Sequence, residues 1–276
     1  MPHTLTPDQC QQFDRDGYLA PLAAFTPAEA LTLRVQFEAF EQQHGKQALA
    51  KRTDLHIAQR WAWDVITHSN VVDPVVSLLG PNVLLWSINW FIKEPRDGKF
   101  VSLHQDANYW GLEPYDVITA WIALSDASLP TGPMRFLPGS HKQELHDHTN
   151  TYAKDNLLSR GQAIETPLDN SNAVLAPLSA GEMSLHHVRL IHGSDKNTTD
   201  DRRIGMVLRY CATHVRQTKG ADSAVLVAGE DHHGNFELLP RPEMDFGPAE
   251  SERHARSVRR MGEIIHSDPV VPDPDD

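Results

Sequence analysis

The chain has 276 residues, with 37 acidic against 25 basic side chains and a formal net charge of −12 with histidine neutral. That balance excludes a nucleic-acid groove as the main surface, while leaving room for a local basic pocket around a small anion. Two cysteines, Cys10 and Cys211, are too few for a disulfide framework and lack metal-ligand spacing.

Thr6-Pro7-Asp8-Gln9 reads as a helix start: Thr caps, Pro takes the first helical position, and Gln closes a capping box. The helix should end near Asp16-Gly17. The same grammar recurs at Thr26-Pro27-Ala28-Glu29, and Leu33, Phe37 and Phe40 at helical spacing extend a second amphipathic helix to about Gln43. Residues 44–60 read as irregular, and Asp73-Pro74 as the start of a short helix over 75–79, stopped by Gly80-Pro81. From Asn82 the pattern changes to strand: 83–93, 100–103, 117–124, 134–137, 173–175, one long run over 183–191, 204–210 and 223–227. Residues 142–172 read as a long polar insertion with partial helix, 248–265 as helix, and 266–276 as loose. Helices followed by many short strands predict a single domain over 1–276, a β-sandwich or jelly roll with helices outside. Its parts are a helical N-terminal region (about 1–80), a strand-rich core (82–228) and a helical, loose tail (248–276). With no basic-then-apolar leader and no apolar run of membrane-spanning length, a cytoplasmic chain with no membrane partner is expected.

His104-Gln105-Asp106 sets an imidazole and a carboxylate two residues apart, on one face of a strand. His192, in Leu190-Ile191-His192-Gly193-Ser194, is the candidate third ligand. Two histidines and one carboxylate with open positions opposite suit non-haem Fe(II). Among 16 histidines one such pairing arises by chance, and a second copy, His266-Ser267-Asp268, lies in the Pro- and Asp-rich tail. The first copy differs in following apolar strand sequence and preceding Tyr109-Trp110. On spacing alone, a surface strand with an incidental histidine is the alternative.

Arg203, eleven residues after His192, would lie beside it across a hairpin, where a guanidinium can grip a carboxylate with two bonds. Ser194 could add a hydroxyl. The alternative for Arg203 is a surface salt bridge to Asp200-Asp201, and Arg202 reads as the solvated neighbour. Strand parity gives His186 the face of His192 if the strand is regular, gives Arg209 the face of Arg203, and turns His187 away. Asn89, Lys93, Asn108, Tyr109 and Arg135 are further substrate-side candidates. His146-Asp147-His148 and Glu230-Asp231-His232-His233 read as solvated surface, and Pro138-Gly139-Ser140-His141 as a turn rather than a ligand source.

His104-x-Asp106, Pro138-Gly139-Ser140-His141 and His192-Gly193-Ser194 with Asn197 and Arg203, together with Phe13-Asp14-Arg15-Asp16-Gly17-Tyr18, resemble the phytanoyl-CoA dioxygenase family of Fe(II)/2-oxoglutarate oxygenases. The resemblance runs from about Gln9 to Tyr210. It implies a mainly β fold with flanking helices, a double-stranded β-helix of the cupin-like jelly-roll type. It implies His104, Asp106 and His192 as metal ligands, Arg203 and Ser194 on the distal carboxylate of 2-oxoglutarate, and Trp110 lining the cosubstrate pocket. The cofactor set would be Fe(II), 2-oxoglutarate and O2. The reaction would decarboxylate 2-oxoglutarate to succinate and CO2 and hydroxylate a C–H bond of a small polar molecule. Lys93, Arg135 and Arg209 would suit an anionic or zwitterionic substrate. Halogenating relatives replace the triad carboxylate with a small residue, so Asp106 disfavours that outcome. Two other classes compete: a non-catalytic metal-binding or sensing protein on the same fold, and a metal-dependent hydrolase, which would want a general base near the metal instead of Arg203.

Overall fold

A computed structural model of the chain describes residues 4–165 and 168–266. Of the loose tail expected over 266–276, His266 instead ends the C-terminal helix, and the rest, with most of the His266-Ser267-Asp268 copy, lies outside the described residues. Eleven strands carry the architecture: β1 (Tyr18–Ala23), β2 (Val83–Lys93), β3 (Val101–His104), β4 (Val117–Ala123), β5 (Met134–Phe136), β6 (Val174–Ala176), β7 (Glu182–His187), β8 (His192–Ser194), β9 (Arg203–Ala212), β10 (Ser223–Ala228) and β11 (Glu237–Leu238). They form a larger sheet in the order β1-β7-β4-β9-β2-β10-β11 and a smaller one in the order β3-β8-β5-β6. Pairing is antiparallel except between β10 and β11. Facing each other, the two sheets make the jelly roll.

Period-two alternation sorts the side chains of the larger sheet. On β9, Ile204, Met206, Leu208 and Tyr210 point outward into a core shared with Ile88, Trp90, Ile118, Ile122 and Leu185. Phe37 and Phe40, from the helix Pro27–His44, close that core, with the Phe37 ring stacked 3.9 Å from Trp90. The other set of β9, Arg203, Gly205, Val207 and Arg209, faces the space between the sheets.

Both capping boxes form. Gln9 N–H donates to Thr6 Oγ1 at 3.2 Å and Thr6 N–H to Gln9 Oε1 at 2.9 Å, with the equivalent pair at Thr26 and Glu29. Gly17 ends the first helix, Pro7–Asp16, at φ 80°, a left-handed conformation that suits glycine.

Several elements depart from the sequence reading. The helix expected to start at Pro74 begins at Ser69 and carries Pro74 inside it, because Val71, Val72 and Val75 bury a continuous apolar face. Residues 44–60 hold a short helix, Ala48–Lys51, and a second one, Arg60–Ile66, follows directly. Edge strand β1, unanticipated, tolerates Pro21 because an edge needs fewer ladder donors. The segment 142–165 contains no α-helix; its His148–Asn150 pairs with Gln162–Ile164 as a hairpin. The single strand expected over 183–191 is broken: β7 ends at His187, Leu190 N–H closes a turn onto His187 O at 2.9 Å, and the chain crosses to the smaller sheet as β8. The C-terminal helix Pro248–His266 lies over the mouth of the roll, where Met261 and Ile264 pack with Trp86, Trp110 and Leu112.

Candidate metal centre and substrate cavity

Register brings the two histidines together: His192 on β8 pairs directly with His104 at the end of β3, and their rings lie 4.2 Å apart. Each ring is fixed the same way. His104 Nδ1 donates to Ser102 O at 2.9 Å and His192 Nδ1 to Leu190 O at 2.9 Å. A carbonyl only accepts, so the proton sits on Nδ1 and each Nε2 keeps a bare lone pair. Asp106, just past the end of β3, completes the set with carboxylate oxygens 3.4 Å from His104 Nε2 and 3.8 Å from His192 Nε2. One ligand atom from each of the three lies within 4.8 Å of the others.

Gln105, fully buried, holds this segment. Its Nε2 donates to Arg189 O at 2.8 Å, its Oε1 accepts from His146 N–H at 2.9 Å, and its own N–H donates to His148 Nε2 at 2.9 Å. His148 is therefore structural and half-buried, not the solvated residue expected. Burial, and next the neighbouring His104, push His192 down to about 4, so it is neutral near pH 7. For Asp106 burial opposes ionisation, but the contact with His104 and the neighbouring basic groups His192, His104 and Arg209 outweigh it and hold the carboxyl well below its usual range. Two imidazoles fixed through Nδ1 and one carboxylate, converging within 4.8 Å, form a donor set that fits a divalent iron.

Behind the triad lies a narrow pocket lined by Phe91, Thr119, Trp121, His186, Val207 and Arg203. Arg203 is fully buried, and burial brings its guanidinium down to about 9. Its Nη1 donates to Gly132 O, while Nε and Nη2 have no partner, and among the described residues no carboxylate pairs with it. Asp200 and Asp201 bind Arg96 and Arg34 instead, so the surface salt bridge weighed for Arg203 is absent. Arg202 is not solvated; it bridges Glu41 and Glu94 at 2.8 Å each. The Trp121 ring lies 4.8 Å from the Arg203 guanidinium, and Gly205 makes this possible, since a Cβ there would stand 2.1 Å from the indole. Lys93 pairs in register with Arg203 and is equally buried. Its Nζ donates to Ser194 Oγ at 2.7 Å, to Gly132 O at 3.2 Å and to Asp195 O. Burial, then Arg203, push Lys93 down to about 6.

On the other side of the triad a cavity of about 280 Å³ opens outward. Asn89, Tyr109, Trp110 and Arg209 line it, with Leu157, Leu158, Val258, Met261 and Ile265 as apolar walls. Arg209 belongs to both spaces. It is 5% exposed, stacked 4.5 Å from Trp110, and its Nε has no partner.

The structure redistributes several predicted site residues. Trp110 lines the outer cavity, not the Arg203 pocket, because a helical turn, Ala107–Trp110, carries it away from the sheet. Arg135 points out of the smaller sheet, where it pairs with Asp195, since Met134 and Phe136 take the inner face. Asn108 does not line the cavity; it holds His146 O at 2.8 Å and the His148 ring. Lys93 does not line the pocket; it holds Ser194. His186 does reach the inner pocket, though by a chain crossover and not by continuous strand parity. Sequence reasoning missed Thr119 and Trp121, which alternation along β4 could have revealed. It also missed Met261 and Ile265, which no local pattern marks.

Residues 13–205 match the phytanoyl-CoA dioxygenase (PhyH) family. A probable alpha-ketoglutarate-dependent hypophosphite dioxygenase of Stutzerimonas stutzeri is 30% identical over 207 residues, 72% of this chain and 68% of that one. Among solved structures, the non-haem monooxygenase ThoJ in its apo form superposes with a TM-score of 0.84 at 34% identity, covering 93% of this chain and 96% of that one. Its nickel complex gives 0.79 at 32% identity, covering 92% and 98%. The chain belongs to the phytanoyl-CoA dioxygenase family, as its motifs suggested, and is a 2-oxoglutarate-dependent dioxygenase of the cupin-like jelly-roll fold. Among the described residues, no helix is long and apolar enough to cross a membrane.

Proposed function

We propose that this enzyme hydroxylates a C–H bond of a small molecule carrying an anionic group, with His104, Asp106 and His192 holding Fe(II) and Arg203 holding 2-oxoglutarate. The observation that carries the reading is a pair of buried guanidinium groups beside one three-ligand cluster: Arg203 in the inner pocket, with Nε and Nη2 unpartnered, and Arg209 between the inner pocket and the outer cavity, with Nε unpartnered. Unpaired buried charge is costly, so each side calls for an anion from a ligand. The inner guanidinium fits the distal carboxylate of a dicarboxylic acid. The outer one, Arg209, fits the substrate.

When bound, iron and 2-oxoglutarate supply O2 activation coupled to oxidative decarboxylation, yielding succinate and CO2. The chain's own residues set where that happens. Nδ1–H bonds to Ser102 O and Leu190 O aim both Nε2 lone pairs at one point. Phe91, Trp121 and Val207 keep the inner pocket apolar and short of water. Arg209, clamped against Trp110, orients a substrate anion so that its carbon skeleton extends along Met261 and Ile265. A hydrolase reading leaves unexplained a buried guanidinium at the end of the inner pocket, which hydrolysis does not require.

The test is a panel of small carboxylates, phosphonates and zwitterions against uncharged analogues, scored for stimulated O2 uptake. Stimulation should be confined to anion-bearing compounds and disappear in Arg209→Gln, while substrate-free succinate formation stays within about threefold. Equal stimulation by uncharged analogues would refute the substrate class.

A further inference from the structure

His186, beside Thr119, is a polar side chain of the inner pocket that neither the ligand cluster nor the Arg203 grip uses. It is 1% exposed, and neither ring nitrogen has a hydrogen-bond partner. Its ring sits 4.6 Å from that of His192 and 5.5 Å from Phe136. A phenyl ring would fill such a space without burying a dry donor and a dry acceptor. The imidazole therefore points to a polar partner that arrives with whatever fills the pocket.

Register says which part of that molecule it meets. His186 on β7 pairs with Thr119 on β4, and Thr119 pairs with Arg209 on β9. Arg203 is six residues along β9 from that level, paired with Lys93. His186 thus occupies the triad end of the pocket and Arg203 its far end. A dicarboxylate with its distal group on Arg203 presents its other end to His186. That end, an α-oxo acid, offers only acceptors, and a neutral imidazole has one N–H to give.

Resting on the cosubstrate reading above, we propose that His186 donates a hydrogen bond to the metal-chelating oxo-acid end of 2-oxoglutarate, so that this chain grips its cosubstrate at both ends.

The proposal is tested by anaerobic titration of the Fe(II)-loaded protein with 2-oxoglutarate, read through the visible charge-transfer absorption of the chelate. His186→Phe should weaken 2-oxoglutarate binding about tenfold. His186→Gln, which keeps an N–H donor, should stay within about threefold of wild type, and Fe(II) loading alone should match wild type in both. Wild-type affinity in His186→Phe would overturn the role of His186 and leave the cosubstrate reading intact. Absence of the absorption band in the wild type would overturn both. If neither substituted protein folds, a crystal of the wild type with Mn(II) and 2-oxoglutarate decides. An imidazole nitrogen within about 3.2 Å of a cosubstrate oxygen upholds the contact, and a ring with no such neighbour refutes it.

Discussion

Replacing Arg203 by Met should move two properties in opposite directions. Arg203 is fully buried, gives one hydrogen bond to Gly132 O and leaves Nε and Nη2 unpartnered. In the apoprotein that charge is a liability, and a hydrophobic side chain of similar length removes it. Gly132 O is not orphaned by the change, because Lys93 also donates to it at 3.2 Å. The thioether can still pack on the Trp121 ring. The melting temperature of Arg203→Met should therefore equal or exceed that of wild type. Cosubstrate binding should collapse. Two charge-assisted bonds to a carboxylate, about 1.5–3 kcal/mol each, correspond to roughly a 10²- to 10⁴-fold loss in affinity. The assay is KM for 2-oxoglutarate in substrate-free succinate formation, beside a thermal melt with and without cosubstrate. A KM within threefold of wild type would refute the assignment of the anion site, whatever the melt showed.

Three further outcomes follow from the same contacts. Gly205→Ala places a Cβ 2.1 Å from the Trp121 ring, so the indole must shift; the substitution should cost about 1–3 kcal/mol in a denaturant melt and raise the KM for 2-oxoglutarate as well. Gln105→Leu fills the same volume but leaves Arg189 O and His146 N–H without partners, and Fe(II) affinity measured by competition with a chelator should fall roughly 10- to 100-fold. The third outcome concerns acid. Burial lowers His56 and His187 to about 4, so both are neutral in the fold while the unfolded chain protonates them below about 6.5. Between pH 4 and 6.5 the unfolded state binds more protons, so stability rises with pH there and drains away as pH falls from 6.5. Each histidine adds at most about 1.4 kcal/mol per pH unit to that slope. Melts across this window should show the loss, shallower by one proton in His56→Gln; a flat profile would contradict it.

What could be read in advance depended on how local its cause was. Capping boxes at Thr6 and Thr26 are decided within four residues, and both helix starts were visible in the sequence. The inner face of β9 was visible because alternation needs only one strand, and it correctly joins Arg203 to Arg209. The same rule applied to the three residues of β5 would have turned Arg135 outward, and applied to β4 would have turned Thr119 and Trp121 inward. Trp110 was misplaced because four residues of helix after Asp106 interrupt the strand geometry. The break after His187 was hidden because 183–191 contains no Gly, Pro, Asn or Asp to signal a turn. The outer cavity's roof was beyond reach for a different reason. Met261 and Ile265 read as ordinary helix-face residues, and only the return of the C-terminal helix across the roll brings them to the cavity wall. Lys93 is similar: its task of holding Ser194 arises from a sheet-to-sheet approach between residues 101 apart in sequence.

The account stands most directly on succinate. Purified protein given Fe(II), 2-oxoglutarate and O2 should release succinate in an iron-dependent manner, with O2 consumed in step, and Asp106→Ala should reduce the rate to background while remaining folded. No succinate from the wild type, or an undiminished rate from Asp106→Ala, would contradict a ferrous centre at His104, Asp106 and His192.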